Sequence, residues 1–126
     1  MVLVMDHGDE DVKLITSLLE KTGFHVVHSA SEAEILQLCQ SGSDSVQLVI
    51  VNTDTPGIRT SELLSEVQTA NPRIRILLIS DQKETELKRR WPKAANVRGH
   101  LSRPFRRAQF LGSVLEAAKE PLVRTA

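Results

Sequence analysis

The sequence has a single cysteine, Cys39, and therefore no internal disulfide. Cys39 falls in an apolar pattern at helical spacing with Ile35, Leu36 and Leu38, which predicts a small buried side chain and not a reactive thiol. A chain without a disulfide framework is typical of a reducing compartment, so we expect a cytoplasmic protein.

Long hydrophobic runs are also absent. No stretch approaches the roughly 20 apolar residues that a membrane-spanning helix needs, and Met1 leads directly into a strand pattern without a charged and then apolar leader. We expect no membrane segment. A chain of 126 residues is long enough to bury one core, and we predict one domain over 1–119 with 120–126 as the start of a linker or tail.

Aromatic side chains are few: three Phe, one Trp and no Tyr. Stacking on bases needs such side chains, so we expect no nucleic-acid binding by this domain. Net charge is zero, but eight of the 16 basic residues lie in 88–107, a segment without Asp or Glu. This basic segment favours an anionic partner surface, unless it is only a solvated helix face.

The hydrophobic pattern predicts five short strands separated by helices. The predicted strands are Val2 to Met5, His25 to His28, Gln47 to Val51, Ile74 to Ile79 and Val97 to Leu101. We expect Asp9, a capping box of Ser31 and Glu34, and Thr60 or Ser61 to begin the first three helices. The fourth helix is predicted from Lys83 to Arg90, and the last one with Phe110, Leu111, Val114 and Leu115 inward.

Strands that alternate with helices over these short spacings require parallel pairing. We therefore predict an α/β fold of three layers, doubly wound, with a five-stranded parallel sheet. Ligands of such sheets bind beyond the carboxyl ends of the strands. The polar residues Asn52, Thr53 and Asp54 follow the third strand and are the first candidates for a site.

Four features in order resemble the receiver domain of bacterial response regulators, a flavodoxin-like (βα)5 fold. They are the acidic turn at Asp6, the turn closed by Pro56-Gly57, the hydroxyl of Ser80 after strand four, and Arg103-Pro104-Phe105 after strand five. The resemblance spans Val2 to about Lys119. It implies a two-component signalling module that contacts other proteins and is not itself an enzyme.

The resemblance assigns a role to each pocket position. The family's phospho-accepting aspartate, four residues before the proline of the turn, falls on Asn52, and its acidic pair falls on Asp6 and His7. Ser80 takes the place of the hydroxyl that turns toward the phosphoryl group, and His100 takes the switch position. Arg103 replaces the family's lysine, and Pro104 implies a cis peptide.

Three of these positions depart from the phosphorylatable pattern: Asn52, His7 and Arg103. A carboxamide is a poor nucleophile, so we expect no acyl phosphate at Asn52. Asp6 is the one remaining carboxylate of the family's three, which makes it a weak metal candidate and predicts little or no magnesium binding. We expect Arg103 to pair with Asp6 and Asn52 and to fix the pocket in one arrangement.

Alternatives remain open from the sequence. Asp54 or Asp6 could accept the phosphoryl group, His7 with Asp6 and His100 could bind a metal instead of sharing a hydrogen bond, and Arg103 could bind an anion or nucleotide.

The family uses the face of helix four, strand five and helix five for dimers and output contacts. On that face the interface candidates are Trp91, Arg98, His100, Arg106 and Arg107. The implied partners are an output domain, a histidine kinase, another regulator or a second copy.

Overall fold

Five parallel strands form one sheet in the order β2-β1-β3-β4-β5. The computed structural model describes residues 1–6, 10–41, 45–92 and 96–118. The strands are β1 Val2–Met5, β2 Val26–Ser29, β3 Leu48–Asn52, β4 Arg75–Ser80 and β5 Val97–Ser102. Because β2 and β3 lie on opposite sides of β1, the chain reverses its winding direction there. A crevice therefore opens at the carboxyl ends of β1 and β3.

A helix follows each strand, as the sequence predicts. The helices are α1 Glu10–Lys21, α2 Glu32–Ser41, α3 Thr60–Ala70, α4 Glu84–Arg90 and α5 Arg107–Ala118. This is the predicted three-layer (βα)5 architecture. None of the helices in the described part of the chain is both long and apolar enough to cross a membrane.

The core consists of two apolar layers, one on each face of the sheet. Leu3 and Met5 of β1 point to the layer that also contains buried residues of α2 and α3. Val2 and Val4 point to the layer beneath α1 and α5. Residues of β1 alternate between the two layers and all are buried, which is why the strand reads as a continuous apolar run.

The strand ends differ from the predicted ones by one residue. β3, β4 and β5 end at the polar residues Asn52, Ser80 and Ser102, each one position beyond the last apolar residue. Backbone pairing continues there because Thr53 N–H donates to the Ile79 carbonyl at 2.9 Å and Arg103 N–H to the Ser80 carbonyl at 2.8 Å. β2 likewise begins and ends one residue later than predicted.

One of the predicted helix starts is confirmed and one is wrong. Ser31 caps α2, since its Oγ accepts a hydrogen bond from the Glu34 N–H at 3.2 Å, but the Ser31 N–H donates to Ser29 Oγ at 3.0 Å, so only half of the predicted capping box is present. The cap residue of α3 is Arg59 and makes no side-chain cap, so the prediction of Thr60 or Ser61 as cap is incorrect. The Arg59 N–H instead donates to Glu32 Oε1 of α2 at 2.9 Å. The predicted cap Asp9 lies outside the described residues.

The inner face of α5 was also predicted with one error. Phe110, Val114 and Ala117 are buried and form a stripe at positions i, i+4 and i+7. Leu111 packs partly against the core, whereas Leu115 is 53% exposed. Leu115 follows Val114 by one position, and a rotation of about 100° per residue turns it away from the sheet.

Candidate functional site

Asn52 is the last residue of β3, in the crevice between β1 and β3. It is buried, with 4% of its surface exposed. Its Oδ1 atom accepts a hydrogen bond from the Asp54 N–H at 3.0 Å and a long one from Arg103 Nη1 at 3.5 Å. The amide therefore both shapes the turn that follows β3 and contacts the basic residue that follows β5.

Asp6 follows β1 and lies on the other side of this crevice. It is 1% exposed, and its Oδ2 atom is 3.8 Å from Arg103 Nη2. The backbone carbonyl of Asp6 accepts a hydrogen bond from His28 Nε2 at 2.8 Å, which ties the turn to β2. His7, the second predicted member of the acidic pair position, lies outside the described residues, so the predicted contact between His7 and Asp6 is not tested.

Arg103 supplies the positive charge of the site. The Arg103-Pro104 peptide is cis, as the resemblance implies. The side chain is 16% exposed and brings Nη1 to 3.7 Å from Asp54 Oδ2 and 3.5 Å from Asp81 Oδ1. The predicted pairing of Arg103 with Asp6 and Asn52 is confirmed, and two further carboxylates share the same guanidinium.

Asp54 accepts more hydrogen bonds than the sequence suggested. Ser80 Oγ donates to Asp54 Oδ1 at 2.9 Å, and the Asp81 N–H donates to Oδ2 at 2.6 Å. Thr53 Oγ1 lies 3.5 Å from Oδ1. The hydroxyl of Ser80 thus points into the pocket, toward a carboxylate of the chain itself.

Sequence reasoning did not include Asp81 among the site residues. Its backbone N–H donates to Asp54 and its carboxylate lies near Arg103. The available signal was its position directly after Ser80 at the end of β4, where the next backbone N–H must face the same crevice.

His100 is buried and faces α4. It pairs in register with Leu78, after an irregularity in β5 at which Leu77 is opposite Gly99 and Ile76 opposite Val97. The extra residue, Arg98, forms a bulge. His100 Nε2 donates to the Trp91 carbonyl, while its buried Nδ1 has no hydrogen-bond partner among the described residues. Nε2 therefore carries a proton, and the ring is held between β5 and the end of α4.

Trp91 connects α3, α4 and β5. Its indole N–H donates to Ser61 Oγ at 3.0 Å, its ring packs against the core, and Arg90 lies 4.5 Å above the ring centroid. These contacts fix the ring at the C-terminal end of α4. They leave the ring only partly exposed as an interface residue.

A groove of about 420 Å³ lies between α4, β5 and α5. Its lining includes the small residues Gly99, Ala108 and Gly112 and the interface candidates Arg98 and His100. The other two candidates, Arg106 and Arg107, are exposed at the start of α5. The structure thus places two of the five predicted interface residues, Arg98 and His100, in this groove; Trp91 contacts His100 through its carbonyl, and Arg106 and Arg107 are not among the residues that line the groove.

Metal-binding side chains do not cluster in the described ranges: no group of three or more His, Cys, Asp or Glu residues there could hold an ion. His100 contacts the Trp91 carbonyl at the end of α4, and no contact seen among the described residues joins it to Asp6. The alternative of a metal site built on Asp6, His7 and His100 therefore has no support from His100.

Comparison with protein families matches residues 2–115 to the response regulator receiver domain. The chain belongs to this family. The match covers all five strands and α5 as far as Leu115. A search of curated proteins gives no significant match to the sequence.

Solved receiver domains share the fold at low sequence identity. A receiver domain protein of Clostridium thermocellum superposes with a TM-score of 0.79 at 20% identity, over 93% of this chain and 92% of that one. A chemotaxis response regulator of Vibrio cholerae gives 0.78 at 21% identity, over 92% and 96%. A response regulator of Burkholderia pseudomallei with a phosphorylated aspartic acid and a calcium ion gives 0.75 at 18%, over 93% and 67%.

Proposed function

We propose that this receiver domain works without phosphorylation, as a protein-interaction module of a two-component or phosphorelay pathway and not as an enzyme. The observation that carries the proposal is Asn52. It is the residue at the end of β3, buried beside Asp6 and Arg103, and it presents a carboxamide where attack on phosphorus needs a carboxylate.

The charges of the pocket support a fixed arrangement. The Arg103 guanidinium lies within 4 Å of carboxylate oxygens of Asp6, Asp54 and Asp81. A delocalised cation in this place reduces the repulsion among the three acids. We therefore propose that an internal ion-pair network holds the pocket in one state, with Ser80 turned inward and His100 buried.

The same network argues against a resident magnesium ion. Magnesium needs several oxygen ligands in octahedral geometry. Asp6 is oriented toward Arg103, and the Asn52 oxygen already accepts from the Asp54 N–H. The described residues do not fit the ion, and we propose that magnesium binding is weak or absent.

Two alternatives agree less well with the contacts. Phosphorylation of Asp6 is disfavoured because its side chain is only 2% exposed. Phosphorylation of Asp54 is disfavoured because both of its carboxylate oxygens already accept hydrogen bonds. Binding of an anion or nucleotide at Arg103 is disfavoured because three carboxylates already surround the guanidinium and would repel any further negative charge.

We propose that recognition uses the face formed by α4, β5 and α5. Its groove is lined by charges of both signs, from Glu84, Lys88, Arg98 and Glu116, which can pair with complementary charges on a protein partner. The candidate partners are an output domain, a histidine kinase, another regulator, or a second copy in a homodimer. The proposed place of action is the cytoplasm.

The test is an NMR titration of the ¹⁵N-labelled domain with beryllofluoride, an analogue of the phosphoryl group, in the presence of magnesium. We expect the amide signals of Asn52, Ser80 and Asp81 to stay in place. A saturable, magnesium-dependent shift of these signals would refute the proposal. A receiver domain with an intact acceptor aspartate, run in parallel, is the positive control.

A further inference from the structure

The Asp54 carboxylate is held by groups from two parts of the fold, the end of β4 and the segment after β5. Ser80 Oγ and the Asp81 N–H, both at the end of β4, donate at 2.9 Å and 2.6 Å to its two oxygens. Arg103, beyond β5, lies 3.7 Å from Oδ2. The backbone N–H of Asp54 itself donates to Asn52 Oδ1 at 3.0 Å, which fixes the turn that presents the carboxylate. Hydrogen bonds to an ionised carboxylate are about twice as strong as neutral ones.

Hydrogen bonds continue from this carboxylate to the segment before α4. Ser80 Oγ, whose proton goes to Asp54, accepts from the Gln82 N–H at 3.0 Å. The Gln82 carbonyl in turn accepts from Ser102 Oγ at 2.6 Å. The segment between Ser80 and Glu84 is thereby fastened to both β3 and β5, directly beside the groove of the proposed interaction face.

We propose that Asp54 is a built-in anionic tether that takes the place of a phosphoryl group. In the family the hydroxyl at the Ser80 position turns toward the phosphoryl group, and here it turns toward the carboxylate of Asp54. The tether keeps the Ser80 hydroxyl turned inward and the β4–α4 segment in a single arrangement. The adjoining face of α4, β5 and α5 therefore keeps one conformation. This inference rests on the proposed function and names the group that replaces the phosphorylation signal.

The experiment removes the carboxylate with Asp54→Ala and measures amide hydrogen exchange by NMR. We expect the amides of Asp81 and Gln82 to exchange faster on the order of tenfold, because the first loses its acceptor and the second loses a fixed Ser80 hydroxyl. Sodium formate, a small carboxylate that fits the vacated space, should restore slow exchange in a saturable way. Sodium chloride at the same ionic strength should not.

Asp81→Asn is the matched control. It removes one carboxylate near the same guanidinium but leaves the backbone N–H that donates to Asp54, so we expect Gln82 to exchange as in the wild type. If Asp54→Ala does not fold, Asp54→Asn keeps the size of the side chain and should accelerate the same amides to a smaller degree.

Two results would overturn the tether. One is exchange at Asp81 and Gln82 that stays at the wild-type rate in the Asp54 variant that folds; the other is formate that acts no differently from chloride on Asp54→Ala. Both are independent of the beryllofluoride titration of the wild-type domain. A tether that fails while the wild-type domain stays silent to beryllofluoride would leave the proposed function intact.

Discussion

Asn52 places an uncharged amide at the centre of a pocket that already contains more negative than positive side chains. Arg103 is shared by Asp6, Asp54 and Asp81. A further buried carboxylate would have no second cation to pair with, and burial of an unpaired charge is costly. The amide thus relieves a repulsion that an acceptor aspartate at this position would create.

Restoring the acceptor tests this electrostatic argument. We expect Asn52→Asp to lower the free energy of unfolding by roughly 1–3 kcal/mol at neutral pH without magnesium, since it adds a buried charge beside three carboxylates. Magnesium should recover part of the loss in the variant and have little effect on the wild type. Urea unfolding with and without the ion measures both effects, and a variant as stable as the wild type without magnesium would contradict the argument.

Cys39 gives a second prediction at this scale. It is fully buried, and burial raises the pKa of its thiol from 9.0 to about 11. The thiol therefore keeps its proton to a higher pH in the folded state than in the unfolded state. The stability that this difference contributes is fully present below about pH 9 and is lost as the pH rises through about 11.

We expect Cys39 to react with a thiol reagent at neutral pH only through unfolding, so that urea accelerates the reaction strongly. Cys39→Ala, which cannot titrate, should lose less stability than the wild type between those pH values. Rapid modification of the native protein would show that the thiol is accessible.

At the scale of elements, β1 and β3 could be predicted because both faces of the sheet are covered there. All four residues from Val2 to Met5 are buried, alternately on the two faces of the sheet. The ends were less predictable, since Asn52, Ser80 and Ser102 are polar but remain in the ladder. Hydrophobicity marks where burial stops, whereas backbone pairing extends one residue further.

The candidate site, like the strands, could be predicted only in part from the sequence. The positions of Asn52, Ser80 and Arg103 followed from motif spacing, and the structure brings them to one crevice. The central place of Asp54 and the part of Asp81 did not follow, because they depend on how the β3 and β4 turns face each other. That relation is a property of the packed sheet and has no signature within either turn.

Helix α5 offers a direct comparison of a correct and an incorrect prediction. We expect Val114→Ala to lower the free energy of unfolding by roughly 2 kcal/mol, since Val114 is fully buried against the sheet. Leu115→Ala should cost no more than about 0.5 kcal/mol, since this side chain is 53% exposed. Urea unfolding of the two variants gives the comparison, and equal losses would place Leu115 in the core after all.

For the whole molecule, the basic segment is less available than its charge suggests. Lys88 pairs with Glu84 at 2.8 Å, and Arg89 pairs with Glu86 at 2.6 Å. The hydrogen bonds from Arg89 lower the pKa of the Glu86 carboxyl. Arg103 is directed into the pocket. Acids from outside the segment thus compensate three of its eight cations.

We expect this charge distribution to be too weak for nucleic-acid binding. A gel-shift assay with duplex and single-stranded DNA at low salt should show no complex, because few phosphates could be neutralised at once. A shift that weakens steeply as salt rises would contradict this and would make the basic segment a nucleic-acid surface. A sequence-specific DNA-binding protein run beside it verifies the assay.

The central claim is that the domain holds its state without a phosphoryl group. Intact-mass spectrometry after incubation with acetyl phosphate and magnesium tests it most directly, with a receiver domain that has its acceptor aspartate as control. We predict that this chain keeps its unmodified mass while the control gains one phosphoryl group. A hydroxylamine-labile adduct on this chain, at Asp54, Asp6 or any other acid, would contradict the claim.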